Sequence, residues 1–284
     1  MGTELARRGA DTRPPLWSAR ALRGAPDLVR RIHEENVTAG ADVLTANTFR
    51  LHARNIEREP GGFFLEGKKK TSSCDVVAFA VRLAREAAPD SPTRLVFVAG
   101  SLAPLEDCYR PDLVPETPAL EREHRQMAEA LAAAGCDLIL VETMNTVREL
   151  VAATRAALTA GLLTVASMVT DGAGCLLSGE PVEEAARALL ALSPPPDLLG
   201  VNCVPARAIG GDLARLAAAA SGVPLCAYAN TGRAIDEAAA LFTEPVGPEE
   251  YAELARGWLP LGVTLLGSCC GTTAAHTRAL RPLV

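Results

Sequence analysis

Short apolar runs alternate with amphipathic stretches along the whole chain. Seven of these runs are brief and rich in Leu or β-branched residues, which is typical of strands buried on both faces of a parallel sheet. The predicted strands cover residues 42–46, 95–99, 138–142, 163–168, 198–202, 225–229 and 263–266. Between them, apolar residues recur at helical spacing. The predicted helices cover residues 27–39, 120–134, 147–160, 182–192, 213–220 and 249–258. This alternation indicates an α/β fold in which helices cover parallel strands.

The fold class predicted from this alternation is a TIM (β/α)8 barrel. A closed barrel of this kind has eight strands, whereas the pattern supplies seven. The helix over 27–39 belongs to the unit that follows a first strand, so we expect that strand to be missing or truncated at the N-terminus. An open sheet is the alternative. Composition does not shift along the chain, and we therefore expect one domain over residues 1–284.

Composition and charge exclude some classes of binding partner. The chain has 28 Lys and Arg against 34 Asp and Glu, a net charge of −6, and its basic residues are scattered apart from Lys68-Lys69-Lys70. This argues against nucleic acid or an anionic membrane as a partner. No apolar run reaches the roughly 18 residues of a membrane span, and the N-terminus lacks a signal pattern. We expect a cytoplasmic protein that binds small molecules, with a mobile surface loop over residues 59–73.

Three of the eight cysteines follow predicted strands directly. Cys203 follows the strand over 198–202, and Cys269 and Cys270 follow the strand over 263–266. If the seven strands are numbers two to eight of a barrel, these cysteines end strands six and eight, and Glu142 ends strand four. Side chains from alternate strands share a layer, and active sites lie at the carboxyl ends of the strands. These four residues are therefore expected to converge.

Three thiolates at a barrel mouth suit Zn²⁺, which leaves a fourth position open for substrate when three protein ligands bind it. Gly267 and Gly271 bracket the adjacent cysteines and permit a sharp turn. On residue type and position alone, burial as small hydrophobic side chains explains the three cysteines equally well. That explanation is preferred for the others, which are Cys74, Cys108, Cys136, Cys175 and Cys226.

The cysteine blocks resemble the paired zinc signature of the homocysteine S-methyltransferase family, which includes the homocysteine-binding module of cobalamin-dependent methionine synthase. The signature lies at Gly200-Val201-Asn202-Cys203 and at Gly267-Ser268-Cys269-Cys270-Gly271-Thr272-Thr273. Further blocks resemble the family in the same order. They begin at Met1, Leu16, Ala39, Asn47, Ala99, Val141 and Tyr228. The resemblance therefore covers essentially the whole chain.

The resemblance implies zinc-dependent transfer of a methyl group from a small donor to the thiol of homocysteine, giving methionine. The donor would be S-methylmethionine, S-adenosylmethionine or betaine. It implies that Cys203, Cys269 and Cys270 bind Zn²⁺, and that Glu142, Thr143, Asn47 and Trp17 contact substrates. Two departures stand out: Ser268 replaces a family glycine, and the family's Asp-Gly, which helps to hold the homocysteine amino group, has no counterpart before Met1.

Individual roles follow from the chemistry of each side chain. Glu142 is suited to pair with the substrate ammonium. Asn202 is a candidate catalytic residue that could donate a hydrogen bond to a thiolate or to substrate, although a structural cap fits it equally well. Trp17 could hold a cationic donor by cation–π attraction or pack in the core. The four histidines are expected to be packing or solvent residues.

Two other functions remain open at this point. The chain could activate homocysteine for a methyl group delivered by a separate methylcorrinoid protein. It could also be a truncated, non-catalytic zinc-binding barrel. A homo-oligomer is compatible with either function.

Overall fold

A computed structural model of the chain describes residues 1–65, 71–88, 94–236 and 241–284. Its strands are β1 (Val43–Thr45), β2 (Phe97–Leu102), β3 (Leu138–Met144), β4 (Leu163–Met168), β5 (Leu198–Pro205), β6 (Leu225–Asn230), β7 (Arg233–Asp236), β8 (Leu241–Thr243) and β9 (Val263–Ser268). Its α-helices are α1 (Gly2–Arg7), α2 (Ala21–Gly24), α3 (Pro26–Ala39), α4 (Ala53–Glu57), α5 (Ser73–Ala87), α6 (Thr117–Ala133), α7 (Val147–Thr159), α8 (Val182–Leu190), α9 (Ile209–Ala219), α10 (Pro248–Arg256) and α11 (Ala274–Leu280).

The main sheet contains the seven strands that the apolar runs predict. All neighbours are parallel, in the order β1-β2-β3-β4-β5-β6-β9. Strands β3, β4 and β6 are buried along almost their whole length, as expected where helices cover a parallel sheet. The seven strand predictions are confirmed, with β2 beginning two residues later and β5 ending three residues later than the pattern indicated.

The sheet curls so that its two edge strands border one cavity. Residues 43–45 of β1 and residues 264–268 of β9 line the same cavity, yet within the described ranges β1 and β9 do not pair with each other. We call this gap the seam. The fold is thus an α/β fold with a curled, seven-stranded parallel sheet, consistent with a TIM-like barrel.

Several helices begin at a residue whose side chain caps the helix N-terminus, and the pattern of apolar residues does not reveal such a start. Helix α5 starts with a capping box, in which Ser72 Oγ accepts from Asp75 N–H and the Asp75 carboxylate accepts from Ser72 N–H. Helix α7 starts where Thr146 Oγ1 accepts from Glu149 N–H at 3.2 Å. The apolar pattern did not predict α1, α2, α4, α5 or α11. Of the loop expected over residues 59–73, the lysine triplet lies outside the described residues.

A two-stranded antiparallel sheet, β7 with β8, follows β6 and was also not predicted. Gly232 permits its close approach, because a Cβ at this position would lie 2.2 Å from the Thr243 carbonyl oxygen. No helix in the described part of the chain has the length and apolar character needed to cross a membrane.

Candidate active site

The three cysteines that follow β5 and β9 meet at the carboxyl end of the sheet. Their sulfur atoms all lie within 4.8 Å of one another, and Cys203 Sγ is 2.7 Å from Cys269 Sγ. Cys203 is 9% exposed and Cys270 is 7% exposed. Strands β5 and β9 are not neighbours, because β6 lies between them. The residues at the end of β6 therefore determine how the sulfurs are held.

Asn230, at the end of β6, connects the backbones of two of these cysteines. Its Nδ2 donates to the Cys203 carbonyl at 2.9 Å, and its Oδ1 accepts from Cys270 N–H at 3.0 Å. The backbone adds two bonds, from Cys269 N–H to the Ala229 carbonyl and from Thr231 N–H to the Cys270 carbonyl. The geometry of the cysteine cluster is thus fixed by the strand between its two halves.

The adjacent cysteines end in a tight turn at Gly271, whose φ of +81° favours glycine. A Cβ at this position would also lie 2.1 Å from Thr231 Oγ1. Gly267 does not share this role, since it lies within strand β9 without a positive φ. Of the two glycines expected to permit the turn, only Gly271 does so.

Hydrogen bonds within the cluster shift the pKa values of its thiols in opposite directions. The thiol of Cys203, followed by that of Cys270, donates to Cys269 and lowers the pKa of Cys269 well below its usual value. Correspondingly, the hydrogen bond to Cys269 raises the pKa of Cys203. Three soft sulfur donors this close together suit a thiophilic cation such as Zn²⁺.

Glu142 on β3 faces the same cavity and is 7% exposed. Burial, followed by the negative charge of Cys269, raises the pKa of Glu142 to about 7. Ser101 Oγ, from β2, donates a hydrogen bond to Glu142 Oε1. The hydrogen bond from Ser101 and the positive charge of the Met1 amino group oppose this rise, and among the described residues no Lys, Arg or His side chain forms an ion pair with Glu142. A buried carboxylate in this setting gains stability from a positively charged ligand. Glu142 is therefore placed to accept an ammonium group.

Strands β3 and β5 are both irregular beside the site. Thr143 has a φ of +60° and Cys203 a φ of +56°, and the pairing register shifts at each position. Asn202 joins the two irregularities: its Oδ1 accepts from Thr143 N–H at 2.9 Å and from Ser167 Oγ at 2.7 Å, and its Nδ2 donates to Thr143 Oγ1 at 2.7 Å. The Asn202 amide is fully buried, and Asn202 does not line the cavity.

Two aromatic side chains, Trp17 and Phe49, also line the cavity. Trp17 begins a 3-10 helix with a φ of +48°, and its ring meets that of Phe49 edge to face, with the ring centroids 5.6 Å apart. The Asn47 amide holds this segment, because its Oδ1 accepts from Ser18 Oγ at 2.7 Å and its Nδ2 donates to the Ser18 carbonyl at 2.9 Å. Trp17 is half-buried, so one part of the ring faces the cavity.

The cavity has a volume of about 670 Å³, which is within the range of small-molecule sites. It brings together every site residue expected from the sequence except Asn202. These are Trp17, Asn47, Glu142, Thr143, Cys203, Cys269 and Cys270. An aromatic wall, a buried carboxylate and a thiol cluster therefore surround one space.

Comparison with known proteins assigns the family. The sequence matches the family model described as "Homocysteine S-methyltransferase" over residues 1–284. The chain belongs to the homocysteine S-methyltransferase family. As a member of this family it is an enzyme, and the resemblance stated from the sequence is confirmed.

Individual members of the homocysteine S-methyltransferase family align with almost the entire chain. Homocysteine S-methyltransferase from Escherichia coli (strain K12) is 31% identical, with 99% of this chain and 92% of that protein covered. Selenocysteine Se-methyltransferase from Brassica oleracea var. italica is 28% identical, with 99% and 86% covered. The crystal structure of the homocysteine methyltransferase MmuM from Escherichia coli in its metallated form superposes with a TM-score of 0.81 at 28% identity, covering 100% of this chain and 94% of that one.

Sequence reasoning about this family member missed two residues that the geometry brings to the site. Asn230 forms hydrogen bonds with the backbones of Cys203 and Cys270, and Ser101 donates a hydrogen bond to Glu142. Their only signal in the sequence was their position near the ends of two predicted strands, within blocks that resemble the family.

Proposed function

We propose that this enzyme transfers a methyl group from a small donor to the thiol of homocysteine, giving methionine, and that it depends on zinc. The donor is of the S-methylmethionine, S-adenosylmethionine or betaine type. The observation that carries the proposal is the cluster of three cysteine sulfurs within 4.8 Å of one another, in the same cavity wall as the buried Glu142. A thiol cluster beside an ammonium site matches the two ends of homocysteine.

Cys203, Cys269 and Cys270 fit the proposed metal. Three sulfur donors already close together are the ligand set that Zn²⁺ binds, and three protein ligands leave a fourth position for substrate. When bound, zinc supplies the positive charge that keeps a thiol deprotonated at neutral pH, where a free thiol with a pKa near 8.5 is mostly protonated. Asn230 and the Gly271 turn hold the ligands in position for this metal.

The remaining residues orient the substrates. Glu142 pairs with the homocysteine ammonium, and Thr143 contacts the acceptor beside it. Asn202 acts as a positioning residue, because its amide is already used by Thr143 and Ser167. Asn47 holds the segment of Trp17, whose ring faces the methyl donor.

We also propose a closed barrel and a reducing compartment for the working enzyme. Among the described residues, β1 and β9 do not pair with each other across the seam, and one further parallel strand would close the sheet into a single-domain barrel. A chain lengthened by such a strand should unfold at a higher temperature. A cytoplasmic location keeps thiols reduced, which the proposed metal site requires.

The metal assignment is tested by zinc content. The zinc-loaded enzyme should contain about one zinc per chain, as one three-cysteine site implies. Cys269→Ala should lose zinc and activity while keeping its circular dichroism spectrum, since a substrate-facing metal need not hold the sheet together. Cys175→Ala, a half-buried cysteine outside the cluster, is the matched control. Full zinc and full activity in Cys269→Ala would show that the ligands are assigned wrongly.

The donor is tested by a panel of S-methylmethionine, S-adenosylmethionine, betaine and methylcobalamin, with homocysteine or selenocysteine as acceptor. Methionine formed from one of the first three supports the proposal. Product from methylcobalamin alone would indicate a methylcorrinoid partner. No product with any donor, from a protein that binds zinc, would indicate a non-catalytic zinc protein.

A further inference from the structure

Arg50 lines the cavity together with its neighbour Phe49 and with Trp17, a group of half-buried residues that we call the mouth, and in the described part of the chain it has no acidic partner. Its Nη1 donates to the Glu106 carbonyl at 2.6 Å, and no carboxylate in the described ranges lies within salt-bridge distance of its guanidinium. A guanidinium has five N–H donors. Most of its hydrogen-bonding capacity is therefore available to a ligand.

The neighbouring acids are engaged elsewhere. The Glu106 carboxylate pairs with Arg54 and Arg58, and Glu123 pairs with Arg54 and Arg122. Asp107 also lines the cavity, but its carboxylate accepts from Tyr109 N–H at 2.9 Å. Arg54 and Arg58 thus differ from Arg50 in having carboxylate partners. The positive charges of Arg54 and Arg58 are therefore neutralised by carboxylates, whereas the charge of Arg50 is not.

The Arg50 guanidinium is also held in a defined place. Its Cζ lies 5.7 Å from the centroid of the Phe49 ring, within the distance of a cation–π contact. The bond to the Glu106 carbonyl fixes a second side of the group. A preoriented guanidinium with free N–H groups binds a carboxylate through two parallel hydrogen bonds.

We propose that Arg50 binds the carboxylate of an amino-acid substrate in this cavity and thereby selects substrates that carry one. The inference rests on the proposed function and deepens it. The carboxylate belongs to the methyl donor or to homocysteine, and the two sources are separated by testing each with its carboxamide analogue.

The experiment is calorimetric binding to the zinc-loaded enzyme. S-Methylmethionine is compared with its carboxamide, and homocysteine with its carboxamide, on wild type, Arg50→Gln and Arg58→Gln. The wild type should bind the carboxylate form of one pair about 10- to 100-fold more tightly, the usual strength of a charged hydrogen bond. Arg50→Gln should abolish this preference and leave carboxamide binding unchanged. Arg58→Gln, which removes a mouth charge that already has a partner, should keep the preference.

The pair that loses its preference identifies the source of the carboxylate. A preference that persists in Arg50→Gln for both pairs overturns the inference, as does an equal loss of affinity for carboxylate and carboxamide. Because binding is measured without turnover, failure of the donor panel to yield methionine would count against the proposed function and would not decide the role of Arg50.

Discussion

The two sides of the cavity are built differently. On the cysteine wall, formed by Cys203, Cys269 and Cys270, strand ends and the buried amide of Asn230 behind them fix each backbone. At the mouth, Trp17, Phe49 and Arg50 are half-buried, and Arg50 retains unused donors. The cysteine wall is suited to hold one geometry, which a metal and a reacting sulfur require. The mouth is suited to choose among ligands, so differences in donor specificity are expected there.

Replacing Glu142 should give the largest effect on the cysteine side. Glu142→Gln keeps the shape of the side chain but removes the buried charge that we propose pairs with the substrate ammonium. We expect kcat/KM for homocysteine to fall roughly 100-fold, the usual cost of removing one partner of a buried charge pair. The donor KM and zinc content should not change. Glu121→Gln, on the outer surface of α6, is the control, and an equal loss in both variants would contradict the role.

Removing the Asn230 amide tests whether the cysteine wall is preorganised. Asn230→Ala should weaken zinc binding by about 10- to 100-fold, since residues that orient metal ligands typically contribute this much. The measurement is competition with a chelator of known affinity. Asn36→Ala removes an amide that donates to the Ile32 carbonyl and accepts from Thr277 Oγ1 instead, and it should leave zinc affinity unchanged. Unaltered zinc affinity in Asn230→Ala would mean that the sulfurs hold their positions unaided.

Replacing Trp17 tests whether the mouth binds the methyl donor independently of the cysteine wall. Trp17→Ala should raise the KM of a cationic donor by roughly 10-fold, from the loss of a cation–π contact, while zinc content and homocysteine binding remain as in wild type. Trp17→Phe should lie between the two proteins because a smaller ring remains. If zinc binding falls together with donor affinity, the cysteine wall and the mouth are not independent, which would contradict the proposed division of the cavity.

The last prediction concerns acid stability and involves no ligand. His52 is buried, and burial, followed by repulsion from His124, Arg50 and Arg54, lowers its pKa well below 6.5. The unfolded chain gains a proton on His52 as the pH falls through about 6.5, whereas the folded chain does not. The free energy of unfolding should therefore fall by about 2 kcal/mol between pH 7 and pH 5 through this group.

Urea unfolding at the two pH values measures this effect. His52→Leu should lose about 2 kcal/mol less than wild type over the same range. His33 provides an independent comparison, because burial lowers its pKa to about 3, and His33→Leu should change the slope in the same direction. Identical slopes in wild type and His52→Leu would contradict the prediction, because they would mean that His52 takes up its proton equally in the folded and the unfolded chain.

The sequence predicted the strands well because a strand buried on both faces must be a short apolar run. It predicted the helices less completely. Helix α5 begins at a capping box of Ser72 and Asp75, a signal that apolar periodicity does not include. The hairpin of β7 and β8 depends on a close backbone approach at Gly232, which residue type alone does not reveal.

The candidate site shows the same division. Cys203, Cys269 and Glu142 could be placed from the ends of predicted strands, because parallel strands bring their carboxyl ends to one edge. The structural roles of Asn230 and Asn202 could not be predicted, because both residues form hydrogen bonds with backbone groups that are distant in sequence. The four histidines were left between packing and solvent, and the structure buries all of them.

The amide of Asn202 has a consequence for how this site can evolve. It supports Thr143 directly and precedes Cys203, and both of these residues have a left-handed backbone that costs of the order of 1–3 kcal/mol unless the surroundings hold it. A substitution at position 202 therefore has to suit the acceptor pocket and the sulfur ligand at once. We therefore expect mutations that reshape the pocket on this side to alter the cysteine cluster as well, and mutations near Trp17 and Phe49 to leave it unchanged.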